Sequence, residues 1–457
     1  MSLTSAIVKN ITYPIWMLKH GKIGIYNYIR RYKNFDQSPP EQLQGSQLEN
    51  LKKIIKHAYE NTRYYKRIFD KIRFSPSDFK AIDDMLRLPI ITKEEIRENL
   101  NDMIAGTFNI SDLTKDSTGG STGTPMIFYR DRECWEKRWA QELFFDKWIG
   151  YNIGDKVAYF VAGTHQPRGI SCLKAKIKNA TCERIIAFDP TNITDNYMAD
   201  FLLKFRKFKP SIIKCFPNSL YIFTEYLKRN NIKDLKVDAI SCTGENLYPY
   251  QRELFEEIFK CKVFEKYGTR ESGIIACECP IHNGMHIFTE GVYLEFIKDG
   301  RQALPGEMGE IIVTDLFNYG MPLIRYKIGD VAIVTDRKCP CGSNLPLIDK
   351  IIGRDRDILV AQDGTPKPGY LFVEVVNKNN IPAKCQFVQE DVDNLLINIV
   401  KLNGFENQYL KIIENNCRKI LGHTTNIKFA FLEDIPKENS GKFKYVTSRI
   451  SPFSKYA

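Results

Sequence analysis

Residues 117–125 combine the residue types that phosphate binding requires. This stretch of nine residues holds three glycines and five hydroxyl side chains, and the apolar residues 126–129 follow it. Glycines let backbone N–H groups approach an anion, and hydroxyls can rotate to follow phosphate oxygens as they move. The stretch contains no lysine and does not fit G-x-G-x-x-G, which excludes the two better-known phosphate loops. We therefore expect a phosphate-binding hairpin; the alternative is a surface loop rich in glycine, serine and threonine.

Two further polar stretches follow predicted strands. Residues 242–246 come after the apolar residues 237–240, and residues 267–273 come after another strand-like run. In an open α/β sheet, ligands bind at the carboxyl ends of the strands. The second stretch offers a tyrosine ring, two glycines and the carboxylate of Glu271, a candidate ligand for Mg²⁺ beside substrate phosphates. The alternative for Glu271 is a surface ion pair with Arg270 or another base.

Asp330, Arg354 and Lys442 could complete a nucleotide site. Asp330 is predicted to lie on a turn that ends residues 325–330, where it could accept hydrogen bonds from both hydroxyls of a ribose. Arg354 belongs to residues 353–357, whose alternating charges suit a hinge and a second contact to ribose or phosphate. Lys442 ends a glycine-bearing loop and could reach a reacting phosphate or carboxylate from a mobile domain. Each feature alone is more often structural than catalytic, so the hypothesis depends on their conjunction.

A candidate metal site stands apart from the nucleotide residues. A Cys-x6-His pair and a Cys-x-Cys pair together supply three thiols and one imidazole, at Cys279, His286, Cys339 and Cys341. Three cysteines and one histidine suit a tetrahedral structural Zn²⁺. Cys277 and His282 are nearby alternative ligands, and the other interpretation is a set of unconnected reduced thiols.

The elements that must position these residues begin with an alternation of strand and helix. Short apolar runs separated by amphipathic helical patterns predict a parallel α/β sheet. The predicted strands are 156–162, 185–188, 212–216, 239–242 and 262–265, and the predicted helices are 195–207, 219–229 and 248–259.

The regions on either side of this alternation have different patterns. Residues 1–47 are predicted to form an N-terminal arm, and 48–73 an amphipathic helix. Residues 291–350 read as an antiparallel, barrel-like unit. The remainder is a small α+β segment with strands at 385–388, 395–400 and 427–432 and a helix at 406–421. The predicted fold class is thus α/β, with an N-terminal domain over residues 1–352 and a C-terminal domain over 353–457.

Length, charge and cysteine usage narrow the class of protein. A chain of 457 residues suggests two or three packed units, and it contains no apolar run of ~18 residues that could span a bilayer. The 66 basic residues exceed the 55 acidic ones, but the excess is scattered and no nucleic-acid motif accompanies it. Twelve cysteines without a recognisable signal peptide favour reduced thiols or a metal site in a cytoplasmic protein.

Taken in this order, the motifs resemble those of the adenylate-forming superfamily of acyl-CoA synthetases, luciferases and adenylation domains. Within it the chain is most similar to the branch of phenylacetate-CoA ligases and CapK-type proteins of capsular polysaccharide biosynthesis. The likeness covers nearly the whole chain, since residues 88–93 resemble the N-terminal region of that branch and residues 436–442 its C-terminal end. It implies a large N-terminal domain of two α/β sheet subdomains plus a β-barrel, and a small mobile α+β lid.

The resemblance also implies roles for individual residues. It identifies the phosphate loop with Ser117, Thr118, Gly119, Gly120, Ser121, Thr122, Gly123 and Thr124. It assigns further nucleotide contacts to Gly244, Glu245, Tyr267, Gly268, Thr269, Asp330 and Arg354. The catalytic residues it implies are Lys442, Thr118 and the Mg²⁺ carboxylate Glu271, and the Cys/His set is similar to one found in many members of this branch.

The implied function is an ATP-dependent ligase that joins a small carboxylic acid to AMP, releases pyrophosphate and transfers the acyl group to an acceptor. Two positions depart from the branch: Arg356 stands where many relatives have aspartate, and residues 361–369 lack a Gly-Val-Asn-Val-Phe-Pro type of sequence. Coenzyme A, an amine and a sugar therefore all stay open as acceptors. The alternative function is a degenerate fold that binds nucleotide or a biosynthetic partner without turnover, against which Glu271, Asp330 and Lys442 argue.

Overall fold

The computed structural model of the protein describes residues 3–118, 125–161, 175–190, 192, 194–435 and 444–450. The chain begins with helices where the sequence predicted an arm and one amphipathic helix. They are α1 (Leu3–Ile7), a π-helical turn (Val8–Thr12), α2 (Tyr13–Lys19), α3 (Ile25–Arg31), α4 (Pro40–Asn61), α5 (Arg63–Lys71), α6 (Lys93–Glu98) and α7 (Leu100–Met103). Within the described ranges, no helix is both long enough and apolar enough to cross a membrane.

A short hairpin carries the ends of the predicted phosphate loop. Strands β1 (Thr114–Ser117) and β2 (Ile127–Arg130) pair antiparallel, with Ser117 opposite Ile127. The apolar residues after the loop therefore form a strand, as predicted. Helix α8 (Arg132–Asp146) follows, and Asp131 caps it by accepting a 2.7 Å hydrogen bond from the backbone N–H of Cys134.

The predicted alternation of strand and helix is present. Strands β4, β3, β5, β6 and β7 lie side by side and are all parallel. Their bounds are β3 (Val157–Phe160), β4 (Ile185–Ala187), β5 (Ile212–Cys215), β6 (Ala239–Thr243) and β7 (Lys262–Thr269), and the helices between them are α9 (Asp195–Phe208), α10 (Pro217–Arg229) and α11 (Pro249–Phe259). Parallel neighbours place the carboxyl ends of β6 and β7 at the same sheet edge, where ligands bind.

The antiparallel strands predicted for residues 291–350 continue the same sheet. From β7 the order runs β8, β9, β14, β13, β12, β10 and β11, so twelve described strands are hydrogen-bonded in one sheet. The bounds are β8 (Gly273–Glu278), β9 (Met285–Ile287), β10 (Val292–Lys298), β11 (Arg301–Gln302), β12 (Met308–Asp315), β13 (Tyr326–Val334) and β14 (Leu347–Arg354). Strand direction changes at β7 and β8, beside the Glu271 motif.

The C-terminal segment has its own sheet and apolar core. A hairpin of β15 (Ile358–Val360) and β16 (Pro366–Pro368) precedes a four-stranded sheet in the order β19, β18, β17, β20. Its elements are α12 (Tyr370–Lys378), β17 (Ala383–Gln389), β18 (Asn394–Lys401), α13 (Gln408–Leu421), β19 (Asn426–Phe431) and β20 (Val446–Ser448). Buried residues including Phe372, Phe387 and Ile413 form a cluster within this segment, which agrees with the α+β prediction.

Candidate functional site

A large cleft lies where the predicted site segments meet. It has a volume of about 1100 Å³ and is bounded by the ends of β6 and β7, by β13 and β14, and by the C-terminal segment. Most of the described residues that were predicted to bind nucleotide line it, namely Thr118, Gly244, Glu245, Tyr267, Gly268, Thr269, Glu271, Asp330 and Arg354. Residues far apart in sequence thus converge on one cleft of suitable size for a nucleotide and an acid.

Asp330 is the centre of a hydrogen-bonded network in this cleft. Its Oδ2 accepts a 2.8 Å hydrogen bond from Tyr267 Oη, and its Oδ1 lies 2.9 Å from Arg354 Nε. Asp330 lies inside strand β13, so the predicted turn is wrong. Gly329, immediately before Asp330, has φ of +82° and interrupts the apolar pattern of the strand. Nearby Asp330 raises the pKa of the Arg354 guanidinium, which therefore stays charged.

Glu271 is buried and held from two sides. Its Oε1 accepts a 3.1 Å hydrogen bond from Tyr326 Oη, and its backbone carbonyl accepts one from Arg138 Nη2. Arg138 is anchored in turn by the buried Asp315. Since the carboxylate lines the cleft in a fixed position, it fits the oxygen-ligand preference of Mg²⁺.

Strand β7 is longer than the sequence predicted. It continues through Thr269, so that Tyr267 and Gly268 lie on the strand and not after it. A tight turn follows, in which the Ser272 N–H donates to Thr269 Oγ1 over 3.0 Å. The strand places the tyrosine ring and the turn places Glu271 on the same cleft.

The segment after β6 is fixed by close packing. Gly244 has φ of +74°, and a Cβ there would lie 2.6 Å from Phe216 Cε1, so only glycine fits. Glu245 Oε2 accepts a 3.2 Å hydrogen bond from the Asn218 N–H. Asn246 Nδ2 donates to the Ile352 carbonyl over 3.0 Å, which ties this segment to the end of β14.

Two residues of the predicted phosphate loop, Ser117 and Thr118, are described. Thr118 exchanges hydrogen bonds with Met126: its N–H donates to the Met126 carbonyl over 2.9 Å, and its Oγ1 accepts from the Met126 N–H over 3.0 Å. Arg270 Nη1 donates to the Ser117 carbonyl over 3.1 Å, which joins the loop to the Glu271 turn. Gly119, Gly120, Ser121, Thr122, Gly123 and Thr124 lie outside the described residues, and so does Lys442.

Lys93 lines the cleft although the sequence did not single it out as a site residue. Burial lowers the pKa of Lys93, Arg354 lowers it further, and the carboxylates of Glu271 and Asp330 oppose this effect. Its position is set by a capping box, because Thr92 Oγ1 accepts from the Glu95 N–H over 3.3 Å. The available signal in the sequence was the threonine just before acidic residues, since Lys93 is the first residue of the capped helix.

Helix α8 supplies the inner wall of the cleft, which the sequence did not identify. Trp135, Trp139 and Glu142 lie on this wall, and Val161 and Phe216 also line the cleft. The two indole rings stack with 6.0 Å between centroids. An aromatic wall with a carboxylate can enclose the body of an organic acid.

The C-terminal segment closes the other side of the cleft. Gly369, Tyr370, Lys444, Tyr445 and Val446 contribute to its lining. Lys444 Nζ lies 3.8 Å from Asp357 Oδ1, and the Tyr445 ring packs edge-on against Tyr248 with 6.1 Å between centroids. Residues next to the undescribed Lys442 loop are therefore at the cleft.

The four predicted metal ligands lie together, away from the cleft. The ligand atoms of Cys279, His286, Cys339 and Cys341 are all within 4.8 Å of one another. The Cys279 and Cys339 sulfurs are 3.6 Å apart, and Cys341 Sγ is 3.4 Å from His286 Nε2. Tetrahedral zinc with ordinary bond lengths requires separations of about 3.8 Å and 3.6 Å, so the residues fit the ion.

The alternative ligands occupy other positions. Cys277 Sγ donates to the Glu278 carbonyl over 3.3 Å, and His282 Nδ1 lies 3.2 Å from Glu278 Oε2. Neither belongs to the group of four. Burial lowers the pKa of His286 to about 4, so its imidazole is neutral at pH 7, the form that binds a metal.

The chain is similar in sequence to known proteins. A family model described as the CapK C-terminal domain matches residues 368–449. Protein CapK of Staphylococcus aureus is 27% identical over 419 residues, which cover 90% of this chain and 89% of CapK. Phenylacetate-coenzyme A ligase of Escherichia coli is 25% identical over 432 residues, which cover 87% of this chain and 93% of the ligase.

Solved structures share the fold. The postadenylation state of a 2-hydroxyisobutyryl-CoA ligase superposes with a TM-score of 0.72 at 18% identity, over 91% of each chain. The thioesterification state of the same ligase gives 0.61 over the same coverage. The mixed α/β architecture with a smaller C-terminal domain is therefore that of the acyl-CoA ligases.

Proposed function

We propose that this chain is an adenylate-forming ligase on the branch of CapK and the phenylacetate-CoA ligases, which it resembles in sequence, and that it activates a carboxylic acid with ATP. The observation that carries the proposal is the convergence of Tyr267, Glu271, Asp330 and Arg354 on one cleft. Relatives named as phenylacetate-CoA ligases support the reaction type.

The reaction begins with attack of a carboxylate oxygen on the α-phosphorus of ATP. The new C–O–P linkage forms as the bond to the β-phosphate breaks, and pyrophosphate leaves. Catalysis of this step depends on positioning and on neutralising phosphate charge. The phosphate loop from Ser117 to Thr124 and the cations Lys93 and Lys442 supply these functions in our proposal.

Asp330 and Glu271 have separate roles in this scheme. Asp330, held by Tyr267 and Arg354, accepts hydrogen bonds from the ribose hydroxyls. Glu271 holds Mg²⁺, which would neutralise charge on the phosphates when bound. Its fixed position supports this role, since Tyr326 and Arg138 both constrain it.

Residues 353–457 act in our proposal as a lid that moves relative to residues 1–352. The small domain has its own core, and the link between the two parts is a single short turn at Asp355–Asp357. The higher TM-score against the postadenylation state supports a lid that here lies in the adenylating orientation. In that orientation Lys444, Tyr445 and Val446, which follow Lys442 in sequence, line the cleft.

Coenzyme A is the acceptor that the ligase relatives favour. Transfer to an amine or sugar in capsular polysaccharide biosynthesis is the second candidate, and the similarity to CapK favours it.

We also propose a structural Zn²⁺ at the Cys279 cluster, and a cytoplasmic location, which the eleven described free cysteines suit.

The test is pyrophosphate release measured across a panel of carboxylic acids, with and without coenzyme A. We expect release that depends on one class of acid and on Mg²⁺, and that Lys442→Ala abolishes. Lys428→Ala, which removes an exposed lysine of the same domain, is the matched control. Nucleotide binding without acid-dependent release for any acid would instead favour the non-catalytic alternative.

A further inference from the structure

An exposed aliphatic stripe runs along the N-terminal helices. Its five residues are Leu3, Ile7, Ile11, Ile15 and Leu18, which are 80%, 42%, 53%, 60% and 65% exposed. They recur at intervals of four, four, four and three residues, so they lie along one face. We call this set the N-terminal stripe. Single exposed aliphatic residues are ordinary, but five in a line need an explanation.

The opposite face of the same helical run is packed against the body of the protein. Val8 and Met17 are buried in a core cluster with Phe144 and Phe145 of helix α8. Cys182 Sγ approaches the Thr12 carbonyl at 3.8 Å, which adds a second attachment. The run is therefore fixed with its aliphatic side outward, and the stripe is not simply a loose segment that failed to pack.

The local helix geometry keeps the stripe straight. An α-helix alone would rotate residues four apart progressively around its axis, since it has about 3.6 residues per turn. The π-helical turn Val8–Thr12 is wider and offsets this rotation. Pro14, which has no N–H to donate, lies at the start of α2 directly after it. Sequence and backbone thus both align the aliphatic residues.

The segment that carries the stripe has charges of one sign only. Residues 1–35 contain six basic residues and no acidic residue: Lys9, Lys19, Lys22, Arg30, Arg31 and Lys33. The adjoining segment adds Lys176 and Lys178 around Ile177, which is 55% exposed. Acidic groups that face this region are paired: Glu133 with Lys137, Glu136 with Arg132, Glu183 with Lys178 and Glu290 with Arg31.

We propose that the N-terminal stripe lies in the surface of an anionic lipid bilayer, with the helical run parallel to the membrane plane. Aliphatic side chains along one face enter the acyl boundary, and flanking lysines and arginines meet the anionic headgroups. A second copy of this chain fits less well, because a two-fold contact would bring like-charged faces together. Nucleic acid also fits less well, since the stripe would turn aliphatic groups toward phosphates.

The stripe is connected to the catalytic cleft through helix α8. Trp139 Nε1 donates to Tyr13 Oη over 2.5 Å, and Lys22 Nζ lies 3.5 Å from the centroid of the Trp135 ring. Both tryptophans line the cleft. Docking through the stripe would therefore bring the inner wall of the cleft close to the bilayer, where an acid or acceptor held at the membrane is available.

The experiment measures co-sedimentation of the full chain with vesicles. One set contains phosphatidylcholine alone, and the other contains equal parts of phosphatidylcholine and phosphatidylglycerol. We expect binding to the anionic vesicles only, weakening as salt is raised. Ile11→Ser/Ile15→Ser should reduce binding by about tenfold or more, because two aliphatic groups no longer enter the lipid. Leu203→Ser/Leu304→Ser, at sites 63% and 61% exposed elsewhere, is the matched control and should bind like the wild type.

A second variant tests the basic residues in case the serine variant folds poorly. Lys9→Gln/Lys19→Gln leaves the stripe intact and should weaken binding to anionic vesicles at low salt. Failure of the wild type to bind anionic vesicles would overturn the proposal, and so would equal binding by the stripe and control variants. The stripe would instead bind a second copy of the chain if three results coincided. The wild type and the control variant would be dimers in sedimentation equilibrium, the stripe variant would be a monomer, and the wild type would not bind vesicles.

Discussion

Arg354 and Asp330 form an ion pair across two neighbouring strands, with 2.9 Å between Arg354 Nε and Asp330 Oδ1. The two residues are direct partners in the antiparallel register of β13 and β14. Arg354 also donates to the Ile328 carbonyl over 3.2 Å. The last residue of β14 thus orients the proposed ribose carboxylate, one position before the turn that leads into the C-terminal segment.

Asp330→Asn should raise the KM for ATP by about 10- to 100-fold, because it removes the charge that Arg354 pairs with and weakens the ribose hydrogen bonds. The measurement is the ATP dependence of pyrophosphate release. Asp349→Asn is the control, since Asp349 pairs with Arg337 on the exposed side of β14. An unchanged KM for ATP would remove Asp330 from the nucleotide site.

Glu271→Gln should lower the rate of pyrophosphate release by about 100-fold and raise the Mg²⁺ concentration needed for half-maximal rate. The amide keeps the volume but binds a cation poorly. Tyr326→Phe removes only the hydrogen bond to Oε1, so a smaller loss of about 5- to 10-fold is expected. Mg²⁺ titrations of both variants check this. A Glu271→Gln enzyme with the wild-type Mg²⁺ dependence would exclude the metal role.

Much of the fold could be predicted because its signals are local. The helix predicted at 195–207 is Asp195–Phe208, and the helix predicted at 406–421 is Gln408–Leu421. Regular apolar spacing within one element determines both. By contrast, the joining of the parallel and antiparallel strands into one sheet depends on β14 pairing with β9, which are about sixty residues apart. Such pairing leaves no local pattern.

The site was predicted in part for the same reason. Glu271 and Asp330 stand in short polar motifs that interrupt apolar runs, so their types and positions identified them. Lys93 and Trp139 come from an ordinary helix start and an ordinary aromatic helix, and only the tertiary fold brings them to the cleft. Asp330 was placed on a turn because Gly329 breaks the strand pattern, although β13 continues through it.

Zinc content should be near one ion per chain in protein purified without a histidine tag. Cys341→Ser should lose the ion and lower the melting temperature, because the metal joins the segment after β8 to the loop before β14 and closed zinc sites stabilise folds by several kcal/mol. Elemental analysis and thermal unfolding provide the measurements. Cys261→Ser, at a half-buried cysteine outside the cluster, is the control. Folded, active protein without zinc would contradict the assignment.

The raised pKa of Glu265 predicts that the stability of the protein depends on pH. Burial and then the neighbouring Glu278 raise the pKa of Glu265 to about 7 from an ordinary value near 4.5. Between these values the folded chain holds a proton that the unfolded chain releases, so stability falls as pH rises through this window. Glu265→Gln stays neutral and should be more stable than the wild type at pH 8, by on the order of 2 kcal/mol, with little difference at pH 4.

Melting temperatures of Glu265→Gln and wild type at pH 4 and pH 8 check this expectation. Glu256→Gln, an exposed position on α11, should have the same effect at both pH values. A difference between Glu265→Gln and wild type that is independent of pH would mean that folding does not raise the pKa of Glu265.

The proposed lid makes a prediction at Arg356. This residue lies in the turn Asp355–Asp357. Among the described contacts, the one hydrogen bond that its N–H donates is to Asp355 Oδ1, over 2.7 Å. Arg356→Pro therefore loses little bonding but fixes φ near roughly −65° and restricts rotation at the turn. If the lid is held in its present orientation, ATP–pyrophosphate exchange should survive while transfer of the acyl group to the acceptor falls by about tenfold or more.

Arg356→Ala, which removes the side chain and leaves rotation free, should retain both steps. Equal activity of Arg356→Pro in exchange and transfer would mean that the domain boundary lies elsewhere or that the chain does not alternate between two orientations.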